Sequence, residues 1–335
     1  MKKYVLEVFD GQSNTAGEKA KNDITKILIG KGYSSVNVKL KKTRLGKVLY
    51  TKKEIKNKLN NIRSGDIFVI QYPMYSRYAT RILQMECKKR GILTVCLLHD
   101  LESLRLFKDN KKKITDEIGI LKQFDSIIVH NQAMEKWLKE NGVSTITINL
   151  QIFDYLSNQK MINADKNKDI VFAGNLAKSG FLERWDISKQ IVVYGINPSE
   201  SYPNNVKYQG VKSPDELPKF LSGSFGLVWD GDALDTNNGL YGEYTMYNNP
   251  HKVSLYVSSG LPVIVWSKAA IANFVKYKNI GFTVSSLEEI PSLLEGMSNE
   301  QYETILNNVK KVGSELRRGK YTLLAVEKAE KCLLG

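Results

Sequence analysis

The chain has 335 residues, 42% of them hydrophobic and 25% charged, which excludes a disordered polypeptide and exceeds what one ordinary core would organise. The net charge is +14, and the whole excess lies in the first 150 residues, which carry 29 lysines and arginines against 15 aspartates and glutamates. No apolar run approaches the ~20 residues of a bilayer-spanning helix, and the three cysteines form no CxxC pair, so a reducing, cytoplasmic setting is expected.

In chain order, YVLEVFD (4–10) reads as a buried strand, GQSNTAG (11–17) as a turn, and residues 19–30 as a helix. SVNVKL (35–40), a basic helix over 52–62, DIFVIQYP (66–73), a helix over 77–90 and ILTVCLLHD (92–100) follow. A helix over 114–123, DSIIVH (125–130), a helix over 132–141 and TITINL (145–150) complete the first half. Near-continuous apolar strands alternating with helices predict a parallel sheet covered on both faces, a doubly wound domain over residues 1–150. Residues 151–168 lose the rhythm and gather Asn, Lys and Asp, as a linker does. A second series runs through DIVFAGN (169–175), QIVVYG (190–195), NVKYQG (205–210), FGLVWD (225–230), a helix over 252–259, PVIVW (262–266) and GFTV (281–284). It predicts a second Rossmann-like domain over 169–312, and residues 313–335 a C-terminal helical segment. Two such α/β domains describe the GT-B architecture; the pattern alone also fits periplasmic-binding-like proteins and nucleotide-sugar epimerases.

Open parallel sheets bind ligands at the carboxyl ends of their strands. The residues at those positions are Gln12, Ser13 and Asn14 after the first strand, His99 and Asp100 after the fourth, and His130 and Asn131 after the fifth. In the second half they are Gly174 and Asn175 with Lys178 just beyond, then Tyr194, then Asp230-Gly231-Asp232. The segment NNPHKVSLYVSSGLPVIVW (248–266) is the most specific in the chain. Pro250 suits a first helical turn, and Lys252 then stands beside the free N–H groups and positive dipole end of a helix. A cation there is opposed by the dipole, so an anionic ligand is its natural reason, and Lys178 offers a second charge to the same diphosphate. The D-x-D pair is assigned to ribose or sugar contacts rather than to a metal. His99 and Asp100 are the candidate base that takes the acceptor proton, with Asp10 and His130 more remote, and Asp100 alternatively caps the helix that follows.

The stretches HDLESLR (99–105), FAGNLAKSGFL (172–182), DGDALD (230–235) and NNPHKVSLYVSSGLPVIV together resemble bacterial galactofuranosyltransferases and the second-step glucosyltransferases of serine-rich-repeat adhesin glycosylation. The resemblance spans essentially the whole chain. It implies a GT-B fold, a UDP-sugar donor and a homo-oligomeric enzyme that moves glucose or galactofuranose to a lipid-linked or protein-linked cell-surface glycan. It also implies Lys252 and Lys178 as diphosphate ligands, Gly174 and Asn175 beside the nucleotide, and Tyr194 in the nucleotide pocket. Asp230 and Asn249 join this donor set, and Gln12, Ser13 and Asn14 are expected to meet the acceptor or sugar. Neither a metal nor another cofactor is expected, because two lysines and helix N–H groups can hold a leaving UDP. A nucleotide-sugar epimerase and a non-catalytic subunit are the alternatives. The basic first half lacks interleaved aromatics and nucleic-acid motifs, so no nucleic acid is expected; an anionic membrane surface, touched peripherally from the inner face, fits it better.

Overall fold

A computed structural model describes residues 1–9, 16–39, 44–74 and 76–335. The chain divides into two compact units, one of residues 1–150 with 321–335, the other of residues 151–320.

The first unit runs β1 (Lys3–Phe9), α1 (Ala16–Ile29), β2 (Ser34–Lys39), α2 (Arg44–Lys58), β3 (Ile67–Tyr72), α3 (Arg77–Arg90) and β4 (Leu93–Leu98). It continues with α4 (Glu102–Arg105), α5 (Lys111–Leu121), β5 (Ser126–Val129), α6 (Gln132–Glu140) and β6 (Ile146–Asn149). Its strands pair in parallel in the order β2-β1-β3-β4-β5-β6. The central strands are buried on both faces, as their unbroken apolar runs require: every residue of β3 and β5 is buried. The chain steps from β1 to β2 on one side and then crosses to β3 on the other. The switch point therefore lies between β1 and β3, at their carboxyl ends.

The second unit contains β7 (Ile170–Asn175), β8 (Ile191–Ile196), β9 (Val206–Tyr208), β10 (Gly226–Val228), α7 (Gly239–Tyr244) and α8 (His251–Ser259). It goes on with β11 (Val263–Trp266), α9 (Ala272–Lys278), β12 (Gly281–Val284), α10 (Ile290–Gly296) and α11 (Asn299–Arg317). Its parallel order is β12-β11-β10-β7-β8-β9, which puts the second switch point between β7 and β10. Two glycines set how closely this sheet is built. A Cβ on Gly195 would stand 1.9 Å from the Gly174 carbonyl oxygen of the neighbouring strand, and one on Gly226 would stand 2.3 Å from the Tyr256 ring of α8. The Tyr256 hydroxyl in turn accepts the Ala173 N–H of β7 at 2.7 Å, which ties α8 beneath the switch point.

Residues 151–168 contain no helix or strand, yet Ile152, Phe153 and Tyr155 are buried within the second unit. The Asn249 amide donates to the Gln151 carbonyl at 2.9 Å, the Ser254 hydroxyl donates to the Phe153 carbonyl at 2.7 Å, and the His251 ring stacks on Phe153 with centroids 4.4 Å apart. The helical end is broken at Gly319, which has φ +72, and a separate helix α12 (Lys320–Leu334) begins there. Most of α12 belongs to the first unit, where Glu330 accepts from the Lys3 ammonium at 2.6 Å and from the Tyr33 hydroxyl. No described helix is long and apolar enough to cross a membrane.

Candidate functional site

In the second unit, the carboxyl ends of β7 and β10 and the first turn of α8 meet at one place. Lys252, in that turn, reaches back to the switch point. Its Nζ donates to the Asp230 carboxylate at 2.9 Å and to the Trp229 carbonyl at 3.1 Å, and stands 4.4 Å from the centroid of the Phe172 ring. Gly174 leaves the lysine its room, since a Cβ there would come within 3.0 Å of Lys252 Cε. Gly174, Asp230 and Lys252 are thus brought together. Lys178 is joined to them through the backbone, because Gly231, next to Asp230, donates its N–H to the Lys178 carbonyl at 2.8 Å. The Lys178 ammonium lies 3.7 Å from the centroid of the Tyr241 ring, in cation–π range.

The other residues of the expected donor set take different partners. The Asn175 side chain caps the turn after β7, accepting the Ala177 N–H at 3.2 Å, and also accepts from the Asn197 amide at 2.9 Å. Tyr194 is buried, which pushes its phenol up from the ordinary value, and its hydroxyl donates to the Phe220 carbonyl at 3.0 Å. Asn249 is 3% exposed, and its amide serves the Gln151 carbonyl. Both carboxylates of the D-x-D pair already hold protein partners, Asp230 the Lys252 ammonium and Asp232 the Asn238 amide. Among the described residues, no group of three or more His, Cys, Asp and Glu side chains gathers as a metal cluster.

In the first unit, His99 and Asp100 follow β4. The Gln71 amide donates to the Thr25 hydroxyl at 2.9 Å and to the Lys21 carbonyl at 3.2 Å. Its oxygen therefore faces His99 Nε2 at 2.8 Å, so Nε2 is the protonated nitrogen of the neutral ring and Nδ1 carries the lone pair. Asp100 is paired with the Arg105 guanidinium at 2.6 Å. It does not cap α4. The N–H groups of Glu102 and Ser103 are received instead by Glu117 of α5, at 3.3 and 2.7 Å, and Glu117 also accepts the Tyr72 hydroxyl at 2.9 Å. Burial, followed by the Glu117 charge, drives the Tyr72 phenol far above its usual range. His130 is buried and gives its Nε2–H to the Leu98 carbonyl at 3.1 Å. Asp10, Gln12, Ser13 and Asn14 lie outside the described residues.

Sequence reasoning did not single out Gln71, Arg105, Glu117, Asn237 or Asn238. Gln71 lies in an apolar strand where its polarity was the one available signal. The two asparagines close the loop after β10: Asn237 accepts the Asp230 N–H at 3.2 Å, and Asn238 accepts the Asp232 N–H at 2.9 Å.

Two Rossmann-like parallel sheets, each with a switch point, are the GT-B architecture, and comparison with known proteins gives the class of glycosyltransferase. Residues 2–152 match the family model of the glucosyltransferase 3-like N-terminal domain, and residues 170–329 that of its C-terminal domain. The chain belongs to this glucosyltransferase 3-like family. It is 30% identical over 326 residues to the β-1,6-galactofuranosyltransferase of Escherichia coli (strain K12), covering 95% of each chain. It is 23% identical over 325 residues to glucosyltransferase 3 of Streptococcus gordonii, covering 96% of each. Among solved structures, sucrose-phosphate synthase of Thermosynechococcus elongatus is similar with a TM-score of 0.66 at 12% identity, covering 99% of this chain and 98% of that one. An α-glucosyltransferase in complex with UDP is similar with a TM-score of 0.60 at 11% identity, over 99% and 100%.

Proposed function

We propose that the enzyme transfers glucose or galactofuranose from a UDP-sugar, held by the second unit, to a hydroxyl of a cell-surface glycan. The observation that carries this reading is Lys252, fixed at the β7/β10 switch point beside the N-terminus of α8. The donor diphosphate would lie against that ammonium and the first N–H groups of α8, with Lys178 turning from Tyr241 to supply further charge. In the reaction the bond from C1 of the sugar to the β-phosphate oxygen breaks and a bond from C1 to the acceptor oxygen forms. The departing UDP keeps the bonding electrons, and Lys252 offsets the charge it gains. On the acceptor side, His99 is the group proposed to take the hydroxyl proton; Gln71 holds its Nε2 and leaves the lone pair on Nδ1, which is buried in the structure and must be uncovered for the transfer. Asp100 then acts through its Arg105 pair, and Asn249 acts by holding residue 151 against α8.

The proposed reaction needs no metal. The support is that lysines and helix N–H groups answer the phosphate charge while Asp230 and Asp232 already have protein partners. The basic first unit is proposed to rest peripherally on an anionic membrane surface beside a lipid-linked acceptor, and self-association is the expected oligomeric state. Purified protein incubated with UDP-glucose or UDP-galactofuranose, with and without acceptor glycan, tests the activity. Labelled acceptor and free UDP are expected. Epimerised sugar without acceptor, or no turnover with either donor, would overturn the reading. Turnover in excess EDTA should match that in magnesium; collapse restored by a divalent metal would give Asp230 and Asp232 a ligand role.

A further inference from the structure

Lys252 does not stand alone at the switch point, and its neighbour is chemically awkward for a diphosphate site. Asp230 and Lys252 are each only 16% exposed, so their charges are weakly screened. The carboxylate is held by its own backbone: the Asp230 N–H donates to the buried Asn237 side chain, whose amide donates to the Thr245 hydroxyl at 3.1 Å. Gly231 is pinned as well, with φ +110 and Asn238 oxygens where a Cβ would stand. The loop thus presents a fixed negative charge 2.9 Å from the ammonium proposed to meet the donor phosphates. For affinity alone this is a poor arrangement, because it neutralises the lysine and repels the ligand.

The arrangement becomes useful when substrate and product are compared. In a UDP-sugar the β-phosphate is esterified and carries one negative charge. In UDP the same phosphorus bears a terminal oxygen whose second ionisation falls at a pKa of about 6, so the product carries about one more negative charge at neutral pH. A lone lysine would therefore hold the product more tightly than the donor, and turnover would stall on release. A carboxylate at the same point opposes that added charge selectively. We propose that Asp230 is a positioning residue that keeps Lys252 in place between turnovers and discriminates against the product nucleotide, lowering the affinity for UDP more than that for the β-esterified donor. This inference rests on Lys252 as the diphosphate ligand.

The experiment measures calorimetric affinities of the native protein and the Asp230→Asn variant for UDP and for the methyl ester of its β-phosphate. The ester keeps the donor's charge without committing to a sugar. The variant is expected to bind UDP about ten-fold more tightly and the ester no more than about three-fold more tightly, and the product-inhibition constant for UDP should fall in proportion. A purely structural role would weaken both ligands. Unchanged or weaker UDP binding in a variant whose circular dichroism and melting match the native protein would overturn the proposal. The native protein gives a second measurement that needs no variant. Between pH 5 and 7.5, as the terminal phosphate ionises, UDP affinity relative to the ester should change less than about two-fold, whereas a rise of about ten-fold would overturn the assignment. Lys252→Ala separates the two levels of the argument. If that variant binds UDP as well as the native protein does, the donor-site reading falls and this proposal with it. If it binds UDP poorly while Asp230→Asn gains nothing, only the discrimination by Asp230 falls.

Discussion

At the scale of single residues, three constraints converge on Lys252: the first turn of α8 fixes its backbone, Gly174 clears its path, and Asp230 and the Trp229 carbonyl fix its ammonium. Lys252→Ala is expected to weaken UDP binding by about 1.5–3 kcal/mol, the range for a hydrogen bond to a charged group, with the fold intact by circular dichroism. Calorimetry with UDP measures it. For the first unit, His99→Ala is expected to lower kcat by roughly 10²–10⁴-fold, the usual contribution of a positioned base, while UDP affinity stays near native. Gln71→Leu should lower kcat in the same direction but less, because the ring remains while its tautomer is no longer selected. Steady-state kinetics on folded variants checks both. Lys252 was legible in the sequence because Pro250 marks a helix start and a lysine just inside one is unusual. Its bond to Asp230 was not, since the partners are 22 positions apart and meet only where the strand order reverses. Likewise, Asp100 looks like a cap before LESLRLF, but α4 takes its carboxylate from Glu117, a residue of the following helix.

At the scale of elements, the close spacing of β7 and β8 and the seat of α8 under β10 determine the shape of the switch point proposed to hold the donor. Gly195→Ala would place a methyl group on the Gly174 carbonyl oxygen, in the strand end that faces Lys252. Overpacking of this kind costs about 1–3 kcal/mol, and the variant should show a lowered melting temperature together with weaker UDP binding. Tyr256→Phe removes the acceptor of the buried Ala173 N–H, so a loss of about 1–3 kcal/mol in denaturant unfolding is expected, with donor affinity less affected. The strands were readable because buried parallel strands are continuous apolar runs, and the glycines of FAGN and VVYG could be seen to end two of them. The closure of the loop after β10 was hidden. DGDALDTNN reads as a turn-rich stretch, and only the folded chain shows Asn237 and Asn238 folding back on Asp230 and Asp232.

At the scale of the whole molecule, eight lysines of the basic first 150 residues fall into two groups once the topology is known. A helix that follows a parallel strand starts at the strand's carboxyl end and runs back. The exposed lysines Lys56 and Lys58 of α2 and Lys88 and Lys89 of α3, in the last turns of their helices, therefore lie at the end of the sheet away from His99. Lys108, Lys111, Lys112 and Lys113 lie before and within the first turn of α5, at the end of the sheet where His99 stands. Lys41 and Lys42 fall outside the described residues. If the first unit rests on an anionic bilayer with its acceptor end, changing Lys108 and Lys111–Lys113 to Gln should abolish sedimentation with anionic vesicles at low salt, while changing Lys56, Lys58, Lys88 and Lys89 should leave most of it. Both effects should fade as salt shortens the screening length from ~10 Å at 0.1 M to ~3 Å at 1 M. Equal loss from the two sets would mean a diffuse attraction without a preferred face. The division into two α/β units could be anticipated from periodicity, whereas the membership of α12 in the first unit rests on long-range contacts of Glu330 with Lys3 and Tyr33. That membership bears on biosynthesis. During translation the first 150 residues leave the ribosome long before residues 321–335, so a newly made first unit must wait, with the seat of Glu330 unfilled, until the second unit has been synthesised. Stalling synthesis just short of residue 321 should leave the first unit open to protease, and adding the 321–335 peptide in trans should restore its protection.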